Sequence, residues 1–279
     1  MLPNLLYNML YILTTLLRRL MKIKQLILYT LYVIGIGIGF ILITESISKF
    51  SFYLASLVYP NTPYMSIDPY GLYWYISLHH IFQFLIAGLI IIVLLLINRY
   101  KKQTIFDFYL RFPNNIKKSI QVSLYFVLAW MIIQFGVGYA LVSNGMVDST
   151  FSYPLNASTL VGQYLFQIVL SGTSEELLYR ALIIGILNAY LIKTNLSTKN
   201  KVILIYILNI IPFIVGHIPY QLNPFMVYSP NMLQMLTVII LGSIETYLLL
   251  KFDSIIPPMI VHGLMNVVII SSGFLLSII

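Results

Sequence analysis

Ser171-Gly-Thr-Ser-Glu-Glu-Leu-Leu-Tyr-Arg180 sets two adjacent carboxylates and a guanidinium inside an apolar run that extends from Thr159 to Leu191. A carboxylate at the centre of a bilayer costs at least ~2.5–3.5 kcal/mol on insertion scales, so ionisable groups there face a protein interior or a wet cavity and mark function. Helix geometry divides the pair. At about 100° per residue, Glu176 and Arg180 lie four apart on one face and can pair, whereas Glu175 points away from them. Glu176 with Arg180 is expected to hold the helix in place, leaving Glu175 for chemistry. At 1.5 Å per residue the run is ~50 Å long, more than a ~30 Å hydrocarbon core requires. Thr173-x-x-Glu176 fits a capping box, so the sequence predicts a break at residues 172–174 and a new helix at the acidic pair.

The rest of the chain supports a membrane setting. Of 279 residues 59% are hydrophobic and only 9% charged, with a mean hydropathy of +0.91. That is more apolar surface than one soluble core can hide. The chain reads as an all-α, polytopic membrane protein. With no cysteine, disulfides, thiol catalysis and thiolate metal sites are excluded. The formal charge of +8 comes from loops between apolar spans, which signals topology and no nucleic-acid partner.

Three regions follow from the hydropathy pattern. Residues 1–24 place leucines at three- and four-residue spacing opposite Asn4, Asn8, Thr15 and Arg18, which predicts an amphipathic interfacial helix with a basic stretch behind it, retained and not cleaved as a signal peptide. Residues 25–158 hold three spans, at about 26–44, 76–97 and 119–142. Residues 159–279 hold four more, at about 159–191, 202–218, 232–250 and 254–276, for about seven transmembrane helices in all. With the N-terminus in the cytoplasm, Arg99, Lys101, Lys102, Arg111, Lys117, Lys118, Lys193, Lys199, Lys201 and Lys251 share one side and only Lys49 falls opposite. This is the positive-inside pattern of a multi-pass protein with a cytoplasmic N-terminus, and the Ile-, Leu-, Asn- and Lys-rich usage leads us to expect a bacterial plasma membrane.

Two further polar clusters interrupt the late spans. Phe213-Ile-Val-Gly-His217 precedes Pro219, which tends to end the helix just after the histidine. His262-Gly-Leu-Met-Asn266 stacks an imidazole and a carboxamide on one helical face. Counted from the nearest lysine at 1.5 Å per residue, Glu175 lies ~27 Å deep, His217 ~24 Å, His262 ~16 Å and Asn266 ~22 Å, so the clusters can meet. The same count leaves Glu245 only ~9 Å from Lys251, at the cytoplasmic interface. His79 and His80 fall near the opposite end of the second span and read as interfacial anchors.

EELLYR, then F-IVG-H, then H-GLM-N resembles the ordered E-E-x-x-x-R, F-x-x-x-H and H-x-x-x-N/D motifs of the CPBP intramembrane proteases. That family includes type II CAAX prenyl endopeptidases and bacteriocin-processing or bacteriocin-immunity proteins. The resemblance covers Thr159 to the C-terminus. It implies an intramembrane endopeptidase acting on a peptide or lipidated protein at the membrane lipid, with catalytic Glu175, Glu176, His217, His262 and Asn266 and a structural Arg180.

The residue types suit hydrolysis by an activated water. Glu175 is placed to act as base and His217 to position the water. His262 and Asn266 can donate hydrogen bonds to the oxyanion. The expected scheme is metal-free, with no cofactor assigned. A zinc ion held by Glu175, His217 and His262 is the alternative, although no H-E-x-x-H signature supports it. Other readings of the same spans are a non-proteolytic immunity or scaffold protein and a component of lipoprotein acyl transfer.

Overall fold

The computed structural model describes residues 2–61, 68, 73–102, 104–146, 156–222, 225–229 and 231–277, with the backbone alone for 2–26, 28, 221, 222 and 225. Seven helices carry the architecture: α1 (Leu2–Val58), α2 (Trp74–Lys101), α3 (Ile116–Ser143), α4 (residues 157–191), α5 (Thr198–Gly216), α6 (Met232–Phe252) and α7 (Ile256–Leu276). An antiparallel hairpin, β1 (Tyr220–Leu222) and β2 (Phe225–Val227), joins α5 to α6 with Tyr220 opposite Val227. Six helices are individually long and apolar enough to cross a membrane, and α4 is the seventh candidate. The protein is therefore multi-pass.

Helix starts are written locally. Asn115, Asn156, Ser197 and Asn231 each accept a hydrogen bond from a backbone N–H two or three residues on, at 2.9–3.3 Å. These side chains satisfy amides that a helix leaves orphaned at its N-terminus. α7 instead begins with Pro257 and Pro258 in its first turn, where a missing N–H costs nothing.

α4 is the axis of the molecule. Residues 176–185 are buried without interruption, as an all-round apolar helix must be. Around it stand α2, α5 and α7, with α1 against α2 and α5, and α3 against α7. Outward faces carry the lipid-facing side chains, among them Leu42, Leu89 and Ile132.

Two sequence expectations are corrected here. α4 does not break at residues 172–174: Ser171, Gly172, Glu175 and Glu176 all have right-handed helical dihedrals. Thr173 makes no capping box, because its Oγ1 donates back to the carbonyls of Val169 and Leu170 at 2.5 and 3.2 Å, the usual choice of a threonine inside a helix. The irregularity takes another form. Phe166–Ser171 and Glu176–Leu182 are π-helical, flanking the single α turn Gly172–Glu175. The first span is also longer than residues 26–44, since α1 runs unbroken to Val58. Its charges are absorbed by the hairpin, where the Tyr220 hydroxyl donates to the Glu45 carboxylate and Lys49 Nζ sits 4.2 Å from the Tyr220 ring. Burial, and then the hydrogen bond to Glu45, push the Tyr220 phenol above its ordinary range. The expected amphipathic face of residues 1–24 lies outside the described side chains.

The seam between α4 and α7 depends on two glycines. A Cβ on Gly172 would lie 2.7 Å from the Met259 carbonyl oxygen and 2.9 Å from the Gly263 nitrogen, and one on Gly263 would lie 3.0 Å from the Ile168 carbonyl oxygen. Backbone atoms cannot rotate aside. Gly172→Val is expected to force the two helices apart at a cost of about 1–3 kcal/mol, read as a lower melting temperature of the purified protein in detergent. An unchanged melting temperature would show that the seam yields.

Candidate active site

The junction between the α turn Gly172–Glu175 and the second π segment aims consecutive glutamates in different directions. Glu176, fully buried, turns to Arg180 on the same helix, Nη1 to Oε1 at 3.0 Å. Arg180 also pairs through Nη2 with the buried Glu245 of α6, and its guanidinium lies 3.9 Å from the Phe213 ring centroid of α5. His262 of α7 closes the group. Its Nδ1 hydrogen-bonds Glu176 Oε1 at 2.9 Å and makes an ion-pair contact of equal length with Glu245 Oε1. Glu245 is thus no interfacial residue. Counting along α6 gave its depth but not its direction, and Gly242, one turn earlier, leaves room for the Arg180 head, with its Cβ position 3.2 Å from Nη2.

Glu175 faces a different space. Its carboxylate is ringed by three imidazoles, with Nε2 of His80, His217 and His262 at 3.9, 3.9 and 3.7 Å. Those separations exceed a direct hydrogen bond and suit polar groups that share a bridging water. Glu175 Oε2 is buried without a hydrogen-bond partner among the described residues. The structure thus gathers Glu175, His217 and His262 at one point. Asn266 lies one turn beyond His262, donating through Nδ2 to Ser171 Oγ at 3.1 Å.

Each imidazole is oriented from behind. Nδ1 of His217 lies 2.7 Å from the Phe213 carbonyl; since a carbonyl only accepts, Nδ1 carries the proton and Nε2 offers a lone pair in the neutral ring. Nδ1 of His80 meets Ser174 Oγ at 2.5 Å, and the ring lies edge-on to Phe166 at 4.9 Å between centroids.

His80 was missed as a site residue. Its signal was present in the sequence: Ser77, His80, Gln83, Ala87 and Ile91 form the buried stripe of α2, spaced as one helical face. Small and polar residues along that stripe in an otherwise Ile- and Leu-rich helix point inward. His79, by contrast, stacks on Phe52 with centroids 3.6 Å apart and is not among the residues lining the cavity.

A cavity of about 750 Å³ opens on this cluster, lined by Glu175, His80, His217, His262, Asn266 and Ser171 and walled by α3 and α6. As to a metal, one group of three donors has all its ligand atoms within 4.8 Å of one another: Glu176, Glu245 and His262. Both carboxylates of that group already pair with the Arg180 guanidinium, a cation of this protein's own. The set Glu175, His217 and His262 is not drawn that close among the described residues.

Residues 157–268 match the family model of the Rce1-like type II CAAX prenyl endopeptidases. This part of the chain is a domain of that family. The protein is accordingly a membrane-embedded endopeptidase, a hydrolase. The Rce1-like domain contains Glu175, Glu176, Arg180, His217, Glu245, His262 and Asn266, whereas His80 reaches the same cavity from outside the matched residues. No curated protein and no solved structure matches the chain.

Removing one member of the buried ion cluster strands the others without water. Glu245→Leu is expected to destabilise the protein by about 3–5 kcal/mol, seen as loss of the monodisperse species after detergent extraction. Retention of a wild-type melting temperature would mean that the Arg180 pair is dispensable.

Proposed function

We propose that the chain hydrolyses a peptide bond in a peptide or lipidated protein held at the membrane, with Glu175 as general base. The observation that carries this reading is the unpartnered, buried Glu175 oxygen facing the Nε2 atoms of His217 and His262 within 3.9 Å. A water placed among these groups gives one proton to Glu175 while His217 Nε2 accepts a hydrogen bond from the other and fixes its direction. The resulting hydroxide attacks the carbonyl carbon. Glu175 then returns its proton to the departing amine as the carbon–nitrogen bond breaks, so protons balance over the cycle.

Negative charge on the carbonyl oxygen needs donors in a site poor in water. His262 and Asn266, one turn apart on α7, are suited to that role. The carboxylates of Glu176 and Glu245 with one guanidinium leave a net charge of −1. An imidazolium at His262 cancels it and turns Nε2–H toward the cavity. Asn266 Nδ2 spends one hydrogen on Ser171 and keeps the other. Catalysis in this scheme uses no metal, and maturation of a bacteriocin or signalling peptide, or self-immunity, is the biological setting we favour.

The purified enzyme in liposomes, given a membrane-anchored peptide from its own locus, tests this. Glu175→Gln is expected to lower turnover by ~10²–10⁴-fold and Asn266→Ala by ~10²–10³-fold, both with an unchanged melting temperature. Chelator is expected to have no effect. Full activity of Glu175→Gln would remove Glu175 as the base, and absence of cleavage by the wild-type enzyme would favour a non-proteolytic or acyl-transfer role. Loss of activity with chelator, restored by zinc, would instead make Glu175, His217 and His262 candidate ligands.

A further inference from the structure

The cavity has a direction. Helices α2, α3, α5 and α6 present it with the same end. On α3 the lining residues fall between 130 and 141, in the second half of the helix, and on α6 between 233 and 241, in the first half. α2 contributes Ile76 and His80 from its first two turns, and α5 contributes Phe213 and His217 from its last. In each case the nearer terminus is the one without basic residues. Arg99 and Lys101 end α2, Lys117 and Lys118 start α3, Lys199 and Lys201 start α5, and Lys251 ends α6.

Exposure follows the same axis. Side-chain exposure is 25% at His217, 15% at Glu175 and 0% at Glu176 and Arg180. Beyond the ion cluster the path is closed by the buried stretch 176–185 of α4 and by the loop after α2, where Phe108 packs directly on the Cβ position of Gly185. At the other end the walls separate. α3 and α6 meet only sparsely, and Gln134 and Gln234 face the cavity from opposite walls. Amides there are placed to hydrate a polar backbone arriving from the lipid side.

We infer that the catalytic cavity opens to the extracytoplasmic half of the membrane, through the gap between α3 and α6, so that the substrate is a membrane-anchored peptide whose scissile bond lies on that side. Loops rich in lysine and arginine remain in the cytoplasm, which fixes the cavity mouth on the opposite face. A cytosolic C-terminal tail would have to cross the sealed half of the bundle to reach Glu175. A translocated peptide, or the outer flank of a transmembrane segment, meets no such barrier. This inference rests on the proposed protease reading for its substrate, but the side of access is measurable without activity.

The chain has no cysteine, so each introduced thiol is unique. Gln234→Cys and Gln134→Cys, on the two cavity walls, and Lys193→Cys, in the basic loop after α4, would be treated in intact bacterial cells with a membrane-impermeant maleimide. The thiols left unreacted would be counted with a second dye after denaturation. Labelling of both cavity-wall thiols in intact cells, and of Lys193→Cys only after permeabilisation, is the expected result. Cavity-wall labelling only after permeabilisation, or none while Lys193→Cys reacts from outside, overturns the inference. A second arm presents a quenched lipopeptide to sealed, uniformly oriented proteoliposomes. If the thiols label as expected and no peptide is cut from either side, the protease reading fails while the access stands. Cleavage only from the lysine-rich side overturns the access.

Discussion

A single guanidinium holds the bundle together. Arg180 of α4 is fully buried and meets Glu176 on its own helix, Glu245 on α6, the ring of Phe213 on α5 and, through the shared carboxylates, His262 on α7. Taking any one of these ions out of water costs several kcal/mol, and only mutual pairing offsets that cost. The four helices therefore have one arrangement in which every charge is answered. Apolar packing of Leu178, Leu182, Ile183 and Ile184 around α4 drives association but is far less particular about register. The ion cluster supplies the register.

That arrangement makes the geometry of the neighbouring Glu175 site a by-product of structure. Glu175 is next in sequence to Glu176, so fixing one against Arg180 aims the other at the cavity. His262 belongs to both sets, with Nδ1 among the structural carboxylates and Nε2 toward Glu175. Polar satisfaction extends further along the same seam: Asn209 donates to the Tyr179 carbonyl and accepts from Thr246 Oγ1 at 2.8 Å. The site thus sits on rigid helices throughout, as precise positioning of small groups requires.

Much of this was legible in the sequence because ionisable residues are scarce in an apolar chain. The Glu176–Arg180 pair follows from four-residue spacing alone, and the convergence of Glu175, His217 and His262 follows from depth along their spans. What depth cannot give is azimuth. Glu245 and His80 were placed near membrane edges by counting residues, yet both point into the bundle, and only the three- and four-residue stripe of their helices carries that information. The capping-box reading of Thr173 failed for a related reason: the same threonine serves a helix start or a helix interior, and its neighbours' dihedrals decide which. The hairpin after His217 has no clear signal, since Tyr220–Leu222 and Phe225–Val227 are each too short for alternation to register.

The paired π turns of α4 carry a consequence for how this helix can change. An α-helix advances about 100° per residue, and a π turn accommodates residues beyond the regular repeat without shifting the helix on either side. Loss of one residue in Phe166–Ser171 could therefore be absorbed as ordinary α-helix, while the same loss in Gly172–Glu175, which has no such slack, would rotate Glu175 away from all three imidazoles. Length variation in this family of folds should thus be tolerated within the first wide turn and purged from the single turn after it, making that short stretch the fixed gauge against which the rest of the helix is cut.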